Sequence, residues 1–436
     1  ISRQRAWGVP IALYVERSTG AYLNDPAVHA RIVEAFRAGG ADAWFTADHQ
    51  ALLGAEYDLA DYEPQADILD VWFDSGSTHA FVIEARYGEG TRANLYVEGS
   101  DQHRGWFQSS LLESAGTRGR APYEAVLTHG FALDDKARKM SKSLGNVVDP
   151  LKVIGESGAD ILRMWVASTD YFEDVRIGKE VLATASDAYR KLRNTFRYLL
   201  GALDGFDDLE RLGLNEMPEL ERYVLARLAV LDAELRSAAD AYEFNRYARA
   251  LTDFAQDDLS AFFFDIRKDV LYCDAADSLK RRAYRTVLDT LFHALVRYAA
   301  PILCFTAEEV WQARYPGGDE SVHLLEWPEL PALPADDALA TRWTEVRALR
   351  VQVTEAIEPL RRAKDVRSSL EAEVRVPTLP LSADLLAETF IVAGVTQGEL
   401  GVVRTETLKC GRCWRHLPDV VEDAALCGRC AEVVDA

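Results

Sequence analysis

The sequence is organised around one run of seventeen residues, Gly130-Phe131-Ala132-Leu133-Asp134-Asp135-Lys136-Ala137-Arg138-Lys139-Met140-Ser141-Lys142-Ser143-Leu144-Gly145-Asn146. Four cations and two hydroxyls fall within this run, which follows a predicted buried strand at Ala125-Val126-Leu127-Thr128. The loop is therefore expected at the carboxyl end of a strand, where open α/β sheets bind ligands. Ammonium groups supply point charges, and hydroxyls and backbone N–H groups supply directed donors. The pattern predicts a polyphosphate-binding loop, and a solvated basic loop is the plainer alternative.

The composition is typical of a globular protein with several domains. The chain has 436 residues, of which 48% are hydrophobic and 27% are charged, and this length fits about three domains. Its formal net charge of -21 argues against nucleic-acid binding through bulk electrostatics, so any RNA contact is expected at local basic patches. No apolar run approaches the length of a membrane-spanning helix, and no signal peptide opens the chain. These features predict a cytoplasmic protein without membrane contact.

Two cysteine pairs near the end of the sequence predict a metal site. They are Cys410-Gly411-Arg412-Cys413 and Cys427-Gly428-Arg429-Cys430, with thirteen residues between them. Two Cys-x-x-Cys pairs at this spacing are typical of one tetrahedral structural Zn²⁺. A redox role would need only one pair and a thioredoxin-like setting, so we predict zinc with Cys410, Cys413, Cys427 and Cys430 as its ligands.

The first 112 residues are predicted to mix strands and helices. Ile11–Val15 is interpreted as a strand and Pro26–Phe36 as an amphipathic helix, together forming a peripheral element. The apolar run Ile68–Val71 predicts a strand that ends at a cleft beside Trp72. Ala93–Val97 predicts another strand, whose exit loop leads into a helix.

This exit loop, Glu98-Gly99-Ser100-Asp101, carries candidate binding groups. The helix after it is expected to run from near Gln102 to Leu112, with Ser100 or Asp101 as its N-cap. Acceptors and backbone donors would then meet at one mouth of the sheet.

Helical periodicity dominates from Gly158 to about Ala313. Apolar stripes at i, i+3 and i+4 predict four long helices, at Val181–Leu203, Leu220–Ala241, Asn245–Phe264 and Leu279–Ala300. They form a predicted helix bundle. Pro328–Pro334 is a candidate linker, followed by a predicted helix at Leu339–Lys364 and short strands within Val374–Leu381.

Several blocks of this sequence resemble one family. Lys139-Met140-Ser141-Lys142-Ser143 matches the signature loop of class I aminoacyl-tRNA synthetases. The blocks that resemble isoleucyl-tRNA synthetases are Asp70-Val71-Trp72-Phe73-Asp74-Ser75-Gly76-Ser77, Val97-Glu98-Gly99-Ser100-Asp101-Gln102-His103-Arg104-Gly105-Trp106-Phe107, Leu127-Thr128-His129-Gly130-Phe131 and Gly158-Ala159-Asp160-Ile161-Leu162-Arg163. They occur in the family's order, and the resemblance runs from residue 1 to the last cysteine pair. The C-terminal zinc ribbon resembles that of the bacterial type.

The resemblance implies a role for each matching residue. Lys139 and Lys142 would be the catalytic lysines, and Trp72 and Trp106 would line the isoleucine pocket. The residues implied in ATP or adenylate binding are Glu98, Gly99, Asp101, Gln102, His129, Met140, Ser141 and Lys142. Magnesium is expected with the ATP.

The resemblance also implies a multi-domain fold: an α/β Rossmann-like catalytic half, an all-α anticodon-binding helix bundle, and a small α+β C-terminal region with a zinc ribbon. The expected segments are 1–157 for the second half of the catalytic domain, 158–178 for a connecting segment, 179–327 for the bundle, 335–404 for a junction domain and 405–436 for the ribbon. The family's His-Ile-Gly-His tetrapeptide is missing, because none of the eight histidines has another three residues away. We therefore expect the first half of the catalytic fold and the editing domain to lie outside this chain, which would be inactive by itself.

The expected activity is that of an isoleucine–tRNA ligase, a monomer whose partners are tRNA(Ile), ATP and L-isoleucine. The expected tRNA contacts are the basic residues Arg190, Lys191, Arg193, Arg197, Arg412 and Arg415. Aromatic residues interleave with the first four of them, as is typical of surfaces that meet phosphates and unstacked bases; a basic helix face that covers apolar surface is the alternative. Two other functions stay open, a valyl or leucyl ligase and a non-catalytic tRNA-binding fragment or paralogue.

Overall fold

The computed structural model describes residues 2–318, 320–333 and 336–435. The chain divides into two compact units. The first unit comprises Ile1–Phe131 and Tyr171–Asp174, and the second comprises Ala132–Asp170 and Val175–Ala436. Some ends of the predicted segments lie outside the described residues: Ile1, Pro334, Ala335 and Ala436.

The first unit is a mixture of short strands and helices. Its strands are β1 (Ser2–Arg3), β2 (Tyr14–Glu16), β3 (Tyr62–Pro64), β4 (Ile68–Leu69), β5 (Ala93–Gly99) and β6 (Tyr123–His129). Its α-helices are α1 (Pro26–Gly39), α2 (Ala43–Thr46), α3 (His49–Leu53), α4 (Val71–Gly76), α5 (Ala85–Tyr87) and α6 (Trp106–Arg118). A π-helical segment covers His79–Glu84, and a 3₁₀ turn covers Ser100–Arg104.

A βαβ unit forms the part of this unit that carries the candidate site. Strands β5 and β6 are parallel, with Glu98 opposite Thr128 and Gly99 opposite His129, and α6 lies between them in the sequence. Tyr96 on β5 and Phe107 on α6 are buried between strand and helix. The two strands therefore end side by side, as the sequence predicts for a sheet that binds ligands at its carboxyl edge.

A separate small core supports the predicted peripheral element. Tyr14 on β2 packs with Trp44, Val28 and Leu53 from the three helices α1 to α3. The predicted helix from Pro26 is confirmed, and Asp25 caps it by accepting a hydrogen bond from the Ala27 N–H at 2.7 Å. The predicted strand at Ile11–Val15 begins only at Tyr14, because the Leu13 N–H bonds back to the Ile11 carbonyl and turns the chain.

The second unit is mostly helical. Its α-helices are α7 (Pro150–Ser157), α8 (Ala159–Ser168), α9 (Lys179–Ala202), α10 (Glu219–Asp240), α11 (Phe244–Asp253), α12 (Asp265–Cys273), α13 (Leu279–Ala299), α14 (Cys304–Arg314), α15 (Asp337–Ala363), α16 (Ala383–Phe390) and α17 (Gly428–Asp435). Its strands are β7 (Ala132–Leu133), β8 (Val175–Arg176), β9 (Ala372–Val376), β10 (Gly394–Gln397), β11 (Gly401–Arg404), β12 (Leu408–Lys409) and β13 (His416–Leu417). The 3₁₀ turns are Lys142–Leu144, Asp208–Glu210, Leu214–Glu216, Val322–Leu324 and Ser369–Glu371.

Helices α9 to α14 form the predicted bundle around a continuous apolar core. The central helix is α13, whose Val287, Leu288, Leu291 and Phe292 are fully buried. A π-helical segment, Phe254–Phe264, joins α11 to α12 without a break. The predicted all-α bundle is thus confirmed, and its observed helix ends at α10 and α13 differ from the predicted ends by one residue at most.

The region after the bundle contains the predicted α+β elements. Trp327 precedes the proline-rich linker and donates a hydrogen bond from its indole N–H to Asp232 of α10 at 2.6 Å. Strands β10, β9 and β11 form a three-stranded sheet in that order, and β12 pairs with β13 in the ribbon. Among the residues that the structure describes, no helix combines the length and the apolar character needed to cross a membrane.

Candidate functional site

The carboxyl ends of β5 and β6 bring several predicted binding residues together. Gly99 is buried, and a Cβ atom there would lie 2.6 Å from Asp101 Oδ1 and 3.7 Å from His129 Cε1. A larger residue would therefore displace the Asp101 carboxylate. Glu98 is exposed beside it, and its Oε2 accepts a hydrogen bond from the Gly99 N–H at 3.2 Å. Glu98, Gly99, Asp101 and His129 thus share one mouth of the first unit.

Gln102 adds an unpaired acceptor to this mouth. Its amide nitrogen donates to Asp101 Oδ2 at 3.3 Å, whereas its Oε1 is buried and has no hydrogen-bond partner among the described residues. Such an acceptor costs free energy unless a donor reaches it. The capping expectation for Ser100 and Asp101 is wrong, because both lie within a 3₁₀ turn and α6 begins after Gly105 without a side-chain cap.

The two predicted pocket tryptophans have different surroundings. Trp72 is 42% exposed and lines a cavity of about 380 Å³ with Arg104, Gln108 and Leu112. Trp106 is half-buried, and its ring centroid lies 4.7 Å from that of Tyr96. Trp106 therefore packs within the βαβ unit, and Trp72 faces the cavity.

Trp72 lies on a helix, although the sequence predicts a strand leading to it. Helix α4 begins at Val71, and the Asp70 carboxylate caps it by accepting from the Trp72 N–H at 2.8 Å. The predicted strand is limited to Ile68–Leu69, which pairs with β1. The short apolar run Ile68–Val71 was compatible with a strand or with a helix. The Asp70 carboxylate favours the helix, because it caps the helix N-terminus.

Helix α4 is held against α6 by a close contact. A Cβ atom at Gly76 would lie 2.5 Å from Glu113 Oε1 and 2.8 Å from the Ser110 backbone nitrogen. The Ser77 hydroxyl donates to Glu113 Oε2 at 3.0 Å. Burial raises the pKa of the Glu113 carboxyl, and its Oε1 has no hydrogen-bond partner among the described residues. This contact fixes the helix that carries Trp72.

The signature loop lies in the second unit and begins with a tight turn. Leu133 pairs with Lys139 across it, the Asp134 N–H donates to the Arg138 carbonyl at 2.9 Å, and Ala137 has a positive φ of 59°. A short hairpin therefore ends at Lys139, the first of the two signature lysines.

The lysines at the centre of the loop are exposed. Neither Lys139 nor Lys142 forms an ion pair with any described residue. Met140 between them is partly buried against the apolar core of the unit. The Ser141 side chain accepts from the Leu144 N–H at 3.3 Å and lies 3.1 Å from the Ser143 hydroxyl. The loop thus presents two uncompensated ammonium groups from an anchored backbone.

The reasoning from sequence did not identify Asp134 and Asn146 as part of this site. Asp134 is 4% exposed, and Asn146 donates to its Oδ2 at 2.9 Å. Hydrogen bonds to Asn146 and to Arg138 hold the pKa of the Asp134 carboxyl well below its usual range. Both residues lie within the run 130–146, so the sequence places them in the loop, but no sequence pattern predicts the hydrogen bond between them.

The four predicted zinc ligands form one cluster. Their Sγ atoms all lie within 4.8 Å of one another, and all four residues are buried: Cys410, Cys413, Cys427 and Cys430. Four Zn–S bonds of tetrahedral geometry place sulfurs about 3.8 Å apart, and the Sγ atoms of Cys413 and Cys427 are 3.9 Å apart. The predicted single structural zinc site fits these four thiols.

The backbone around Cys410 favours its thiolate form. Burial raises the pKa of the Cys410 thiol, but N–H groups of Cys413, Cys427 and Arg412 outweigh burial and hold that pKa at about 6. A Cβ atom at Gly411 would lie 2.2 Å from the Ala424 carbonyl oxygen, so the first knuckle requires glycine. Because thiolate is the form that binds zinc, the local backbone favours Cys410 as a ligand, whereas burial raises the pKa of the Cys413 and Cys427 thiols.

The ribbon is docked on helix α12 by two arginines. Arg412 donates to the carbonyls of Cys273 and Tyr272 at 2.6 and 3.2 Å, and Arg429 pairs with Asp269 at 2.8 Å. Cations near a helix C-terminus are favourable, because they interact with its unpaired carbonyls. The structure therefore gives Arg412 an intramolecular partner, and its predicted tRNA contact stays a prediction, as does that of Arg415.

Comparisons with known proteins agree with this arrangement. The family described as tRNA synthetases class I (I, L, M and V) matches residues 1–178, the anticodon-binding domain of tRNA ligase matches 221–376, and the zinc finger found in FPG and IleRS matches 408–433. An isoleucine–tRNA ligase of Zymomonas mobilis is 64% identical over 100% of this chain. The chain belongs to the isoleucine–tRNA ligase family. One from Gluconobacter oxydans is 52% identical, also over 100% of the chain.

The chain spans about half the length of these ligases, 48% of the first and 47% of the second. One similar solved structure is the LeuRS–tRNA–LeuAMS ternary complex of Agrobacterium radiobacter K84, with a TM-score of 0.56 and 18% sequence identity. The match covers 78% of this chain and 42% of the chain in that structure. That likeness supports the fold. The predicted multi-domain class, with a catalytic α/β part, a helical bundle and a zinc ribbon, is confirmed.

The basic patch predicted on helix α9 is divided between two faces. Phe196 is buried, and Tyr189 bonds to Thr306, so these aromatic rings face the bundle. Arg193 forms two hydrogen bonds to Glu309, at 2.9 and 3.0 Å, and Arg190 pairs with Asp187. The ring surface expected for unstacked bases is therefore turned inward. The tRNA contacts of Lys191 and Arg197, which are exposed, and of the two arginines stay predictions.

Proposed function

We propose that this chain supplies the signature loop, the anticodon-binding bundle and the zinc ribbon of an isoleucine–tRNA ligase. The reaction joins isoleucine to the α-phosphate of ATP, forming isoleucyl-adenylate and pyrophosphate, and then transfers the isoleucyl group to a hydroxyl of the terminal ribose of tRNA(Ile), with AMP as the leaving group. The observation that carries the proposal is the pair of exposed ammonium groups, Lys139 and Lys142, on a loop with an anchored backbone. No carboxylate among the described residues neutralises them, so they are available for phosphate.

The first unit would hold the amino acid and the adenylate. Trp72 and Trp106 supply flat apolar surface, which suits a branched aliphatic side chain. The buried, unpaired Oε1 of Gln102 would accept a hydrogen bond from the isoleucine ammonium. Glu98 and Asp101 supply carboxylates for the adenylate's hydroxyl and amine donors, Gly99 allows close approach of the backbone, and His129 supplies a ring nitrogen at the same mouth.

The loop would act on the departing pyrophosphate. Isoleucine's carboxylate attacks the α-phosphorus, and the bond from that phosphorus to the bridging oxygen of pyrophosphate breaks. Lys139 and Lys142 would compensate the charge that builds on the leaving group, and the Ser141 region, next to the partly buried Met140, would supply backbone donors. Mg²⁺ bound with ATP would supply further charge compensation on its phosphates.

The remaining partners follow from the second unit. The bundle and the zinc ribbon would bind tRNA through local cations, because the chain as a whole is acidic. Arg197 and Lys191 on α9 and Arg415 on the ribbon are the proposed contacts, with Arg190, Arg193 and Arg412 limited by their intramolecular pairs. We propose a monomer that works in the cytoplasm, where reduced thiols and tRNA are present.

The test is isoleucine-dependent exchange of labelled pyrophosphate into ATP. It is run on the complete gene product and on this chain alone, with valine and leucine as comparators. Exchange by the complete product with isoleucine preferred supports the proposal. Preference for valine or leucine would assign a sister ligase, and absence of exchange in the complete product would indicate a tRNA-binding paralogue.

A further inference from the structure

Asp134 is the centre of the hydrogen-bond network below the signature loop. Its Oδ1 accepts from the backbone N–H groups of Lys136 and Arg138, at 3.0 and 2.7 Å. Its Oδ2 accepts from Arg138 Nε and from Asn146 Nδ2, both at 2.9 Å. A nearly buried carboxylate with four donors holds its geometry firmly, because each charged hydrogen bond is short and strong.

Asn146 connects this carboxylate to the backbone between the two signature lysines. Its Oδ1 accepts from the Ser141 N–H at 2.9 Å, and its Nδ2 also donates to the Lys139 carbonyl at 3.3 Å. The Asn146 side chain is therefore hydrogen-bonded to the backbone on both sides of Met140. Because the partly buried Met140 side chain packs against the apolar core of the unit, this short segment is held from two directions.

The charges of the loop are divided by the same network. Arg138 is neutralised by Asp134, with Arg138 Nη2 2.8 Å from Oδ2. The network thus pairs the arginine with a carboxylate, whereas Lys139 and Lys142, like the exposed Lys136, have no carboxylate partner among the described residues.

We propose that Asp134 and Asn146 are positioning residues for the signature lysines: their pair sets the backbone from Lys139 to Ser141 and thereby the direction of both ammonium groups. This inference rests on the proposed function of the loop. Neither residue needs to touch ATP, because both act through the lysines. Since catalysis of phosphoryl transfer depends on placement of charge, a small displacement of the lysines is costly.

The experiment compares three variants in the complete gene product. Asn146→Ala removes the hydrogen bonds of the amide to the loop backbone and to Asp134. Asp134→Asn keeps the shape of the side chain but replaces a charged acceptor with an amide. Asp135→Asn is the matched control at the exposed neighbouring carboxylate. We measure kcat and both KM values for isoleucine-dependent exchange, the zinc content, the melting temperature, and the rate of tryptic cleavage after Lys139 and Lys142.

We expect kcat to fall about 100-fold in Asn146→Ala and Asp134→Asn, with the KM for isoleucine and the zinc content unchanged and tryptic cleavage accelerated. Asp135→Asn should match the wild type. A wild-type kcat in Asn146→Ala, or a loss that only follows the fraction of folded protein, would overturn the inference. If the wild type itself shows no exchange, the proposed function fails, and the proteolysis result still decides whether the pair holds the loop.

Discussion

Asp160 on α8 caps helix α14 through Thr306. The Asp160 Oδ2 atom accepts hydrogen bonds from the Thr306 backbone N–H at 2.7 Å and from its hydroxyl at 2.6 Å. Three residues along α8, Arg163 donates to the carbonyls of Ile302 and Pro301, at 2.8 and 2.7 Å. One turn of α8 therefore satisfies backbone donors in the first turn of α14 and backbone acceptors in the segment just before that helix.

We predict that Asp160→Asn destabilises the junction of α8 and α14. The variant loses a buried charged acceptor that receives two N–H bonds and one hydroxyl bond. Loss of hydrogen bonds to a charged group of this kind costs about 1.5 to 3 kcal/mol. Hydrogen exchange at the amides of Phe305 and Thr306 should accelerate accordingly.

The matched control for this variant is Asp240→Asn at the exposed end of α10. It should leave exchange at Phe305 and Thr306 unchanged. If Asp160→Asn leaves it unchanged as well, the cap contributes nothing to stability.

Lys142→Ala is predicted to slow adenylate formation. The exposed ammonium of Lys142 has no protein partner among the described residues, so its removal leaves no buried group unpaired. Loss of one charge-stabilising donor in the transition state costs roughly 3 to 4 kcal/mol, a fall in kcat of about 100- to 1,000-fold. Steady-state exchange in the complete gene product measures this, and the KM for isoleucine should stay close to that of the wild type.

Lys136→Ala is the control for the loop lysines, because Lys136 is exposed on the same loop and only its backbone N–H bonds to Asp134. Its exchange rate should match the wild type. An equal loss in both variants would show that overall loop charge matters rather than the position of Lys142.

The repetitive parts of the structure were predictable from the sequence, because apolar stripes repeat along them. The predicted helix Leu220–Ala241 corresponds to α10 at Glu219–Asp240, and Leu220, Leu228 and Leu235 are fully buried as the stripe requires. The same rule would have separated the aromatic residues of α9 from its cations, since Leu192, Phe196 and Leu199 form one buried face.

Contacts that depend on tertiary structure were not predictable. Glu309, which pairs with Arg193, is 116 residues away in the sequence. No local sequence pattern predicts this ion pair. Asp134 and Asn146 are 12 residues apart in a loop without periodicity. The zinc ligands are the exception. The spacing within a Cys-x-x-Cys pair places both thiols on the same side of a short turn, so only the meeting of the two pairs depends on tertiary structure.

Cys427→Ser is predicted to release the zinc ion. The cluster then keeps three thiols, and the hydroxyl of serine is a poor replacement for a thiolate. A structural zinc contributes on the order of 10 kcal/mol of apparent binding energy, so the ribbon should lose its fold as the metal leaves. Metal analysis of the purified chain, one zinc per chain in the wild type, measures this.

The control for the zinc site is Cys273→Ser, because Cys273 is buried against the same cluster but is not one of its four ligands. This variant should retain one zinc per chain. Retention of zinc by Cys427→Ser would contradict the four-ligand site, and loss of zinc from both variants would indicate that packing, rather than ligation, controls retention.

Glu113 is predicted to make the stability of the first unit fall as pH rises. Burial raises the pKa of this carboxyl, and Asp74 nearby raises it further, against the Ser77 hydrogen bond and His79. The folded state therefore holds the proton more tightly than the unfolded chain does. The resulting stability is fully present below the ordinary carboxyl pKa and is lost as the pH rises through the raised value. Asp74, whose pKa burial also raises, contributes with the same sign.

Glu113→Gln should weaken this dependence, because an uncharged amide of the same shape retains the bond to Ser77 without a buried charge. The free energy of unfolding of the first unit, measured by urea titration from acidic to neutral pH, should therefore decline less in the variant. Glu89→Gln, at an exposed glutamate of the same unit, serves as the control and should follow the wild type. If Glu113→Gln and the wild type decline equally, the dependence arises from Asp74 and other carboxyls. The contact that holds the Trp72 helix would then keep its strength at neutral pH.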